Sequence, residues 1–467
     1  MIRILITPNV ANPYDQRMAK ALAQAFITLG HEAYALDRPV DSLTLRTLCQ
    51  DFSITVVLQV NRTRDPAEPL PKGVRHIAWY QDVFPETQKN FAENFTPGDI
   101  LYTLGSTEML GLLVQPPCLT SVLFTGVTDD MLKFPSKYIV QDLDMSLCGG
   151  LPAPVTIVKS FNSDLVWCIN SYLARFSVLA RSRVFWLVRK ALLGRYFPGD
   201  FMPYASLRAI EAVVKGFYRP LRGELDIQHL SVAMKNQIAP FGKCEAGPSR
   251  SKRKKEGRFT KLAKPYAAQT QGRGDWRARL IRYLAHESSF HSAAGISTED
   301  RAISYFSQSY PRIMDRELLV DLARRVTTSL ELWGPGLDGH DFALPFFKGV
   351  IDDQDALLRM YCRSKINLAN NTHGLGLHSR TLECMAVRGF IFMHTSPHDA
   401  EVGGMHTEFE PDVHYGVYTP ETFHDAALRW LRDDKGRRLA GVKAKKVIEL
   451  RHRWIHRAEQ ILGDLNR

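Results

Sequence analysis

Arg380 and Glu383 stand three residues apart in HSRTLECMAVRGF, directly after the glycine-punctuated loop NTHGLGL. An arginine can grip a phosphate through two parallel N–H donors, and a nearby carboxylate can accept hydrogen bonds from vicinal hydroxyls. On a helix, at about 100° per residue, the two lie together, away from an apolar stripe of Leu382, Met385, Ala386 and Gly389. SKINLA reads as the strand before the loop and FIFM as the strand after the helix, with Ser379 as the helix N-cap and Gly389 as its end. The pair is thereby expected in the crevice beyond the carboxyl end of a strand, where open α/β sheets bind their ligands. Helix N-terminal amides favour an anion at such a place, and phosphate beside a diol describes a nucleotide. Gly374 and Gly376 shape the loop, Ser379 and Thr381 open the helix, and His378 is within reach of phosphate or sugar. The competing reading is a solvated surface pair of little energetic value beside glycines that only shape a turn.

The elements that must position this loop alternate between strand and helix. IRILIT, a PNVANPYDQ loop, an amphipathic RMAKALAQAFITLG helix and HEAYAL form an opening βαβ unit, with Gly30 at the helix C-cap. SITVVLQV, RHIAWY, DILYTLG and TSVLFTG follow as strands of a mostly parallel sheet, so residues 1–140 are expected to form one doubly wound domain. MSLCGGLPAP then opens a second α/β domain, assigned to 141–154 and 301–445. Residues 155–300 interrupt it as a helical insertion whose aromatic residues demand packing, and 446–467 form a C-terminal helix crossing back to the first domain.

Length and charge narrow the function. A chain of 467 residues that is 45% hydrophobic exceeds one ordinary core and suits two. The apolar run Ile2–Ile6 is only a strand's length, and Val184–Leu193 is cut by Arg189 and Lys190, well short of the roughly 20 apolar residues of a membrane span. The expectation is a soluble, cytoplasmic protein. Seven scattered cysteines suggest reduced core thiols rather than a disulfide or zinc framework. Of the net charge of +11, most sits between Phe241 and Leu280, where twelve Lys or Arg face three Asp or Glu. The tract 243–275 is either a solvated linker or a recruiter of an anionic acceptor, with peripheral contact at the inner membrane face as a further role; no specific nucleic acid is expected.

HSRTLECMAVRGFIFMHTSPHDAEVGGMHTEFEPDVHYGVYTPETFHDAALRWLRDD, followed by RHRWIHRAEQIL, resembles the C-terminal domain of GT-B glycosyltransferases, in particular the CgeB-like, spore-maturation-protein group. The matching series is Arg380 with Glu383, Val387–Gly389, Phe409–Pro411, YTPETF, and Trp454 with Arg457. IAWYQDVF, LDMSLCGG and DALLRMYCRSKINLANN extend the likeness upstream, and it fails over 155–300. The resemblance implies two facing Rossmann-like domains, a nucleotide-sugar donor held mainly by the second, and an acceptor approached from the first. It also implies that Glu383 meets the donor ribose and Arg380 the diphosphate. Many retaining members carry a second acid eight residues before this glutamate, where the present chain has Leu375.

Glycosyl transfer requires stabilisation of a departing nucleoside diphosphate, for which Arg380, the amides after His378 and the Gly149–Gly150 turn are suited. Lys365 and Arg363 are weaker phosphate candidates. An inverting reaction needs a general base, and Asp82 at the end of HIAWYQD is the first candidate, Asp15 the second. Asp142-Leu143-Asp144 and Asp353-Gln354-Asp355 mimic a metal-binding D-x-D without following a strand end, so neither a metal nor a cofactor is expected. The expected acceptor is a hydroxyl of a glycan, protein or lipid-linked glycan, anionic in character, in the setting of a bacterial cell-surface glycan. The rivals are a sugar-nucleotide epimerase of the same architecture and a non-catalytic glycan- or anion-binding protein.

Overall fold

A computed structural model describes residues 1–81, 91–107, 112, 114–152, 154, 204–238 and 303–467. Asp82, most of the insertion 155–300 and the whole basic tract 243–275 therefore lie outside the described residues. The chain divides into two compact units. One comprises Met1–Leu151, Arg219–Asp226 and Met314–Arg467, and the other Pro152–Tyr218 and Ile227–Ile313.

The first unit carries two parallel six-stranded sheets with flanking helices, the two-domain α/β arrangement of the GT-B class. Strands β1 (Arg3–Thr7), β2 (Glu32–Ala35), β3 (Val56–Val60), β4 (Arg75–Tyr80), β5 (Ile100–Thr103) and β6 (Leu119–Val122) are ordered β2-β1-β3-β4-β5-β6. The apolar runs of β1 and β3 follow from burial on both faces, whereas the edge strands β2 and β6 are only partly buried. Ile4, Ile6, Val56, Leu58, Ile77 and Trp79 pack on one side, Leu5 and Val57 on the other.

The helix after β1, α1 (Pro13–Thr28), starts four residues earlier than the periodicity from Arg17 indicates. Pro13 at the first helical position and the Asn12 side chain, which accepts from Asp15 N at 2.7 Å, create that extra turn. Tyr14 and Asp15 thus stand on a helix with Arg17 and not in the preceding loop. The helix α2 (Ser42–Asp51) packs on this sheet through Leu45 and Cys49, while α3 (Asp129–Lys133) packs through Met131 on the core of the second sheet.

The second sheet runs β12-β11-β10-β7-β8-β9. Its strands are β7 (Leu143–Cys148), β8 (Leu330–Trp333), β9 (Phe347–Gly349), β10 (Ser364–Ala369), β11 (Ile391–His394) and β12 (Gly416–Tyr418). Ion pairs fasten its two central strands, Arg363 to Asp142 at 2.9 Å and Lys365 to Asp144 at 2.7 Å. Those contacts correct the view of Arg363 and Lys365 as phosphate ligands, since each is already committed to a carboxylate. They also give the first D-x-D a structural role. Asp353, from the second, caps the following helix by accepting from Ala356 N at 2.7 Å.

Among the described residues the remaining α-helices, in chain order, are α4 (Tyr204–Phe217) and α5 (Ile227–Ile238), both in the second unit, then α6 (Tyr310–Val326), α7 (Gln354–Arg363), α8 (Ser379–Ala386), α9 (Phe423–Arg432), α10 (Asp434–Arg451) and α11 (Trp454–Leu465). The C-terminal segment is two helices, broken at His452–Arg453 where Val127 N donates to His452 O at 2.8 Å. α11 places Trp454, Ala458 and Ile461 in the core of the first sheet, and the Tyr102 hydroxyl donates to Asp464 at 2.7 Å. Among the described residues no helix is long and apolar enough to cross a membrane.

Candidate active site

The loop between β10 and α8 is pinned from below by His394. Its Nδ1 faces the Thr395 carbonyl at 3.1 Å, and its Nε2 accepts from Asn371 N at 3.0 Å. Gly374 has φ +78°, and a Cβ there would lie 2.2 Å from Ser396 Oγ and 2.6 Å from Gly223 O, so only glycine fits. Gly376 packs as tightly on Met405. The N-cap of α8 is His378 rather than Ser379, its side chain accepting from Arg380 N, and the helix closes at Ala386, three residues before Gly389.

The apolar stripe is also wider than the periodicity indicates. Every residue of α8 except Arg380 is buried, including Ser379, Thr381 and Glu383. Leu382, Cys384, Met385 and Ala386 face the core of the second sheet. α1 faces the other side, bringing Tyr14 and Arg17 to Glu383. This excludes the reading of Glu383 as a solvated surface acid.

Arg380 folds back over the carboxyl end of β7, where Nη1 donates to Cys148 O at 2.8 Å. A Cβ on Gly149 would lie 1.7 Å from that nitrogen and 3.0 Å from Nη2 of Arg316. The glycine at 149 therefore makes room for two guanidinium groups. Its own N–H is engaged by Trp333 O at 2.8 Å, so this amide is not free to meet a phosphate; Gly150 rests on Pro335.

Arg316 escaped the sequence reasoning. It sits on α6 in the buried stripe otherwise made by Ile313, Leu319, Val320 and Ala323, and a charge on an apolar stripe was the available signal. Burial first, and then the neighbouring Arg380 charge, push its pKa down to about 9. Its Nη1 is buried without a hydrogen-bond partner among the described residues. The buried Asp315 carboxylate beside Arg316 offsets one of these two charges, and the remaining cation with its unsatisfied donor suits an anion.

Glu383 opens onto a cavity of about 670 Å³ whose walls include Tyr14, Arg17, Gln354, Asp355, Leu358 and Trp454. Only 7% of the residue is exposed. Burial raises its carboxyl to about 7, against the opposing pull of Arg17 and then Arg380. Tyr14, hydrogen-bonded to Ser379, is held well above the usual phenol range by burial and then by the Glu383 charge.

A smaller recess of about 140 Å³ adjoins the carboxyl ends of the first sheet, lined by Asn9, Asp15, Asn61, Gln81, His378 and Ser379. Asp15 and His378, distant in sequence, thus share one wall. The Asp15 carboxylate also accepts from Val10 N at 3.0 Å, which fixes the turn after β1. Asp82, following Gln81, lies outside the described residues.

Leu375, at the position of the missing second acid, is not among the residues that line the Glu383 cavity. It is buried with Ala78, Tyr80, Phe91, Phe95 and Leu101 of the first sheet's cluster, against Gly105 and Gly403. Among the described residues no group of three or more His, Cys, Asp or Glu is placed to hold a metal.

Comparison with known proteins agrees with this layout in class. Residues 312–463, which include Arg316, Arg380 and Glu383, match the model of a family described as Glycosyl transferase-like. The chain thus carries a glycosyl transferase-like domain within a GT-B-type α/β fold. No curated protein matches the chain by sequence. Among solved structures, a glycosyltransferase from Rickettsia africae aligns over 100% of this chain and 98% of its own at 9% identity, with a TM-score of 0.44. Anabaena Alr3699/HepE, solved with UDP and glucose, aligns over 100% of both chains at 10% identity, with a TM-score of 0.43.

Proposed function

We propose that the protein transfers a sugar from a nucleotide-sugar donor to a hydroxyl acceptor. The observation that carries this reading is the juxtaposition of a buried carboxylate, Glu383, with two guanidinium groups packed over Gly149, all at the carboxyl edge of one parallel sheet. In this reading Glu383 accepts from the ribose hydroxyls, and Arg380 and Arg316 neutralise the diphosphate. Charge accumulates on the diphosphate as the glycosidic bond breaks, so preorganised cations in a water-poor site stabilise the transition state more than the ground state. The recess bearing Asp15 and His378 receives the acceptor hydroxyl. Asp15 or Asp82 takes its proton if configuration inverts. The Glycosyl transferase-like match over the donor half supports the assignment, while the base, the sugar and the acceptor are for product analysis to identify.

Donor binding is the first test. A nucleoside diphosphate present at about 100 times its dissociation constant should stabilise the fold by about 2.7 kcal/mol. Melting curves with UDP, GDP, ADP and dTDP that all superimpose on the ligand-free curve would refute the nucleotide site. Product analysis with a panel of nucleotide sugars then separates transfer from epimerisation, which alters the sugar without an acceptor, and from binding without turnover.

Metal dependence is a second test. The Asp142–Asp144 pair is tied to Arg363 and Lys365, and Asp353 caps α7; only Asp355 of the two D-x-D sequences lines the Glu383 cavity, and among the described residues no group of three or more His, Cys, Asp or Glu accompanies it. Transfer should therefore persist after chelation. Activity abolished by EDTA and restored by magnesium or manganese would return a D-x-D to the site.

A further inference from the structure

α10 turns an uncommon face outward. Its inner residues, among them Arg437, Ala440, Gly441, Ala444 and Ile448, are buried, as its helical period demands. The outer arc carries Leu439 (53% exposed), Val442 (47%) and Leu450 (65%), set among Lys435, Lys443 and Lys446. Arg438 and Glu449 on the same arc are paired, with Asp434 at 2.8 Å and Lys445 at 3.9 Å. Lys435, Lys443 and Lys446 make no ion pair among the described residues.

The segment 132–141 lies alongside, held by Lys445 Nζ donating to Leu132 O and by Arg437 Nη2 donating to Gln141 Oε1 at 3.4 Å. It adds Tyr138 (74% exposed) and Val140 (76%), together with the exposed Lys133 and Lys137. Five of the 17 large apolar side chains that are exposed among the described residues thus lie on α10 or on the segment beside it, interleaved in sequence with lysines. Scattered exposed aliphatics need no explanation, but aliphatics that alternate with unpaired cations along one helix arc do.

We propose that this surface, α10 with residues 133–140, docks the protein on an anionic lipid bilayer. A helix with aliphatic residues between lysines matches the boundary of headgroup and acyl chain: the ammonium groups stay with lipid phosphates while the aliphatic side chains enter the interface. Lysines near an anionic bilayer each add to binding, and salt screens the effect. The surface lies on the outer side of the second half, apart from Glu383, Arg380 and Arg316, and its role does not depend on the transferase reading. It is also distinct in sequence from the basic tract 243–275.

The test uses the full chain in sedimentation with vesicles of phosphatidylcholine alone or mixed with phosphatidylglycerol. Binding should require phosphatidylglycerol and weaken in high salt. Lys443→Glu/Lys446→Glu should lower partitioning at least about tenfold, and Leu439→Ser/Val442→Ser should lower it as well, both without changing nucleotide-induced stabilisation. Lys254→Glu/Lys255→Glu in the basic tract should leave partitioning nearly unchanged. Wild-type partitioning in both α10 variants overturns the proposal. So does loss in the lysine variant alone with equal capture by soluble dextran sulfate, which marks a general polyanion site. A solution dimer that Leu439→Ser/Val442→Ser dissociates, with vesicle binding intact, overturns it in favour of a contact between copies of the chain.

Discussion

Glu383→Gln is expected to stabilise the ligand-free protein and weaken donor binding in the same molecule. Burial raises the Glu383 carboxyl to about 7, above an unfolded value near ~4.3. Stability from this group is therefore fully present below the unfolded value and is lost as pH rises through about 7. The neutral, isosteric glutamine removes that loss, and the ligand-free protein should gain about 1–3 kcal/mol at mildly alkaline pH. Donor hydroxyls favour the ionised carboxylate, so wild-type affinity should increase as pH rises through about 7, with a proton released on binding. The variant lacks a charge-assisted hydrogen bond of about 1.5–3 kcal/mol, so it should bind roughly tenfold to more than a hundredfold more weakly. Its binding should lose the pH dependence. Calorimetric titration on both sides of neutrality, in buffers of different ionisation enthalpy, measures affinity and proton release together. Unchanged affinity in a folded variant would remove Glu383 from the donor site.

The two arginines should separate turnover from affinity. Arg380→Ala is expected to reduce single-turnover transfer by about 10²–10³ while KM changes much less, because the diphosphate gains charge as the bond breaks. Arg316→Met should lower turnover by a similar factor in a protein that still folds. It replaces a buried guanidinium whose Nη1 has no partner among the described residues with an apolar side chain of comparable volume. Because the two groups flank Gly149 together, their losses should not multiply in the double variant. Equal losses in KM and turnover would make Arg380 a ground-state anchor, and full activity of Arg316→Met would exclude that residue from the site.

Much of the second half was legible because its signals are local. SKINLA, the glycine loop and the helix bearing Arg380 and Glu383 read correctly as strand, turn and helix, since apolar period and glycine punctuation depend on neighbours in sequence. The cap did not: Ser379 is the stronger residue by propensity, yet the chain uses His378. Helical periodicity placed Glu383 opposite the apolar stripe without indicating that α1, more than 350 residues earlier, covers that side. Arg316 lay beyond reach for the same reason. Its partner in the site, Arg380, comes from another helix, and the only local trace was a charge on the apolar stripe of α6. At the N-terminus, Pro13 read as a loop residue because proline breaks helix interiors, although at the first helical position its fixed φ promotes the helix.

Leu375 gives the molecule a clasp. It extends from the loop that leads into the donor helix and seats among Ala78, Tyr80 and Leu101, beneath the other sheet. Returning a leucine from such a place to water costs about 1.5–3 kcal/mol, so an excursion that parts the two halves there becomes roughly ten- to a hundredfold rarer through this side chain alone. The loop consequently breathes with the far sheet rather than by itself. On the proposed transferase reading, ligand exchange would be coupled to a whole-body opening, and the residence time of a nucleotide would be set in part by a residue outside the Glu383 cavity.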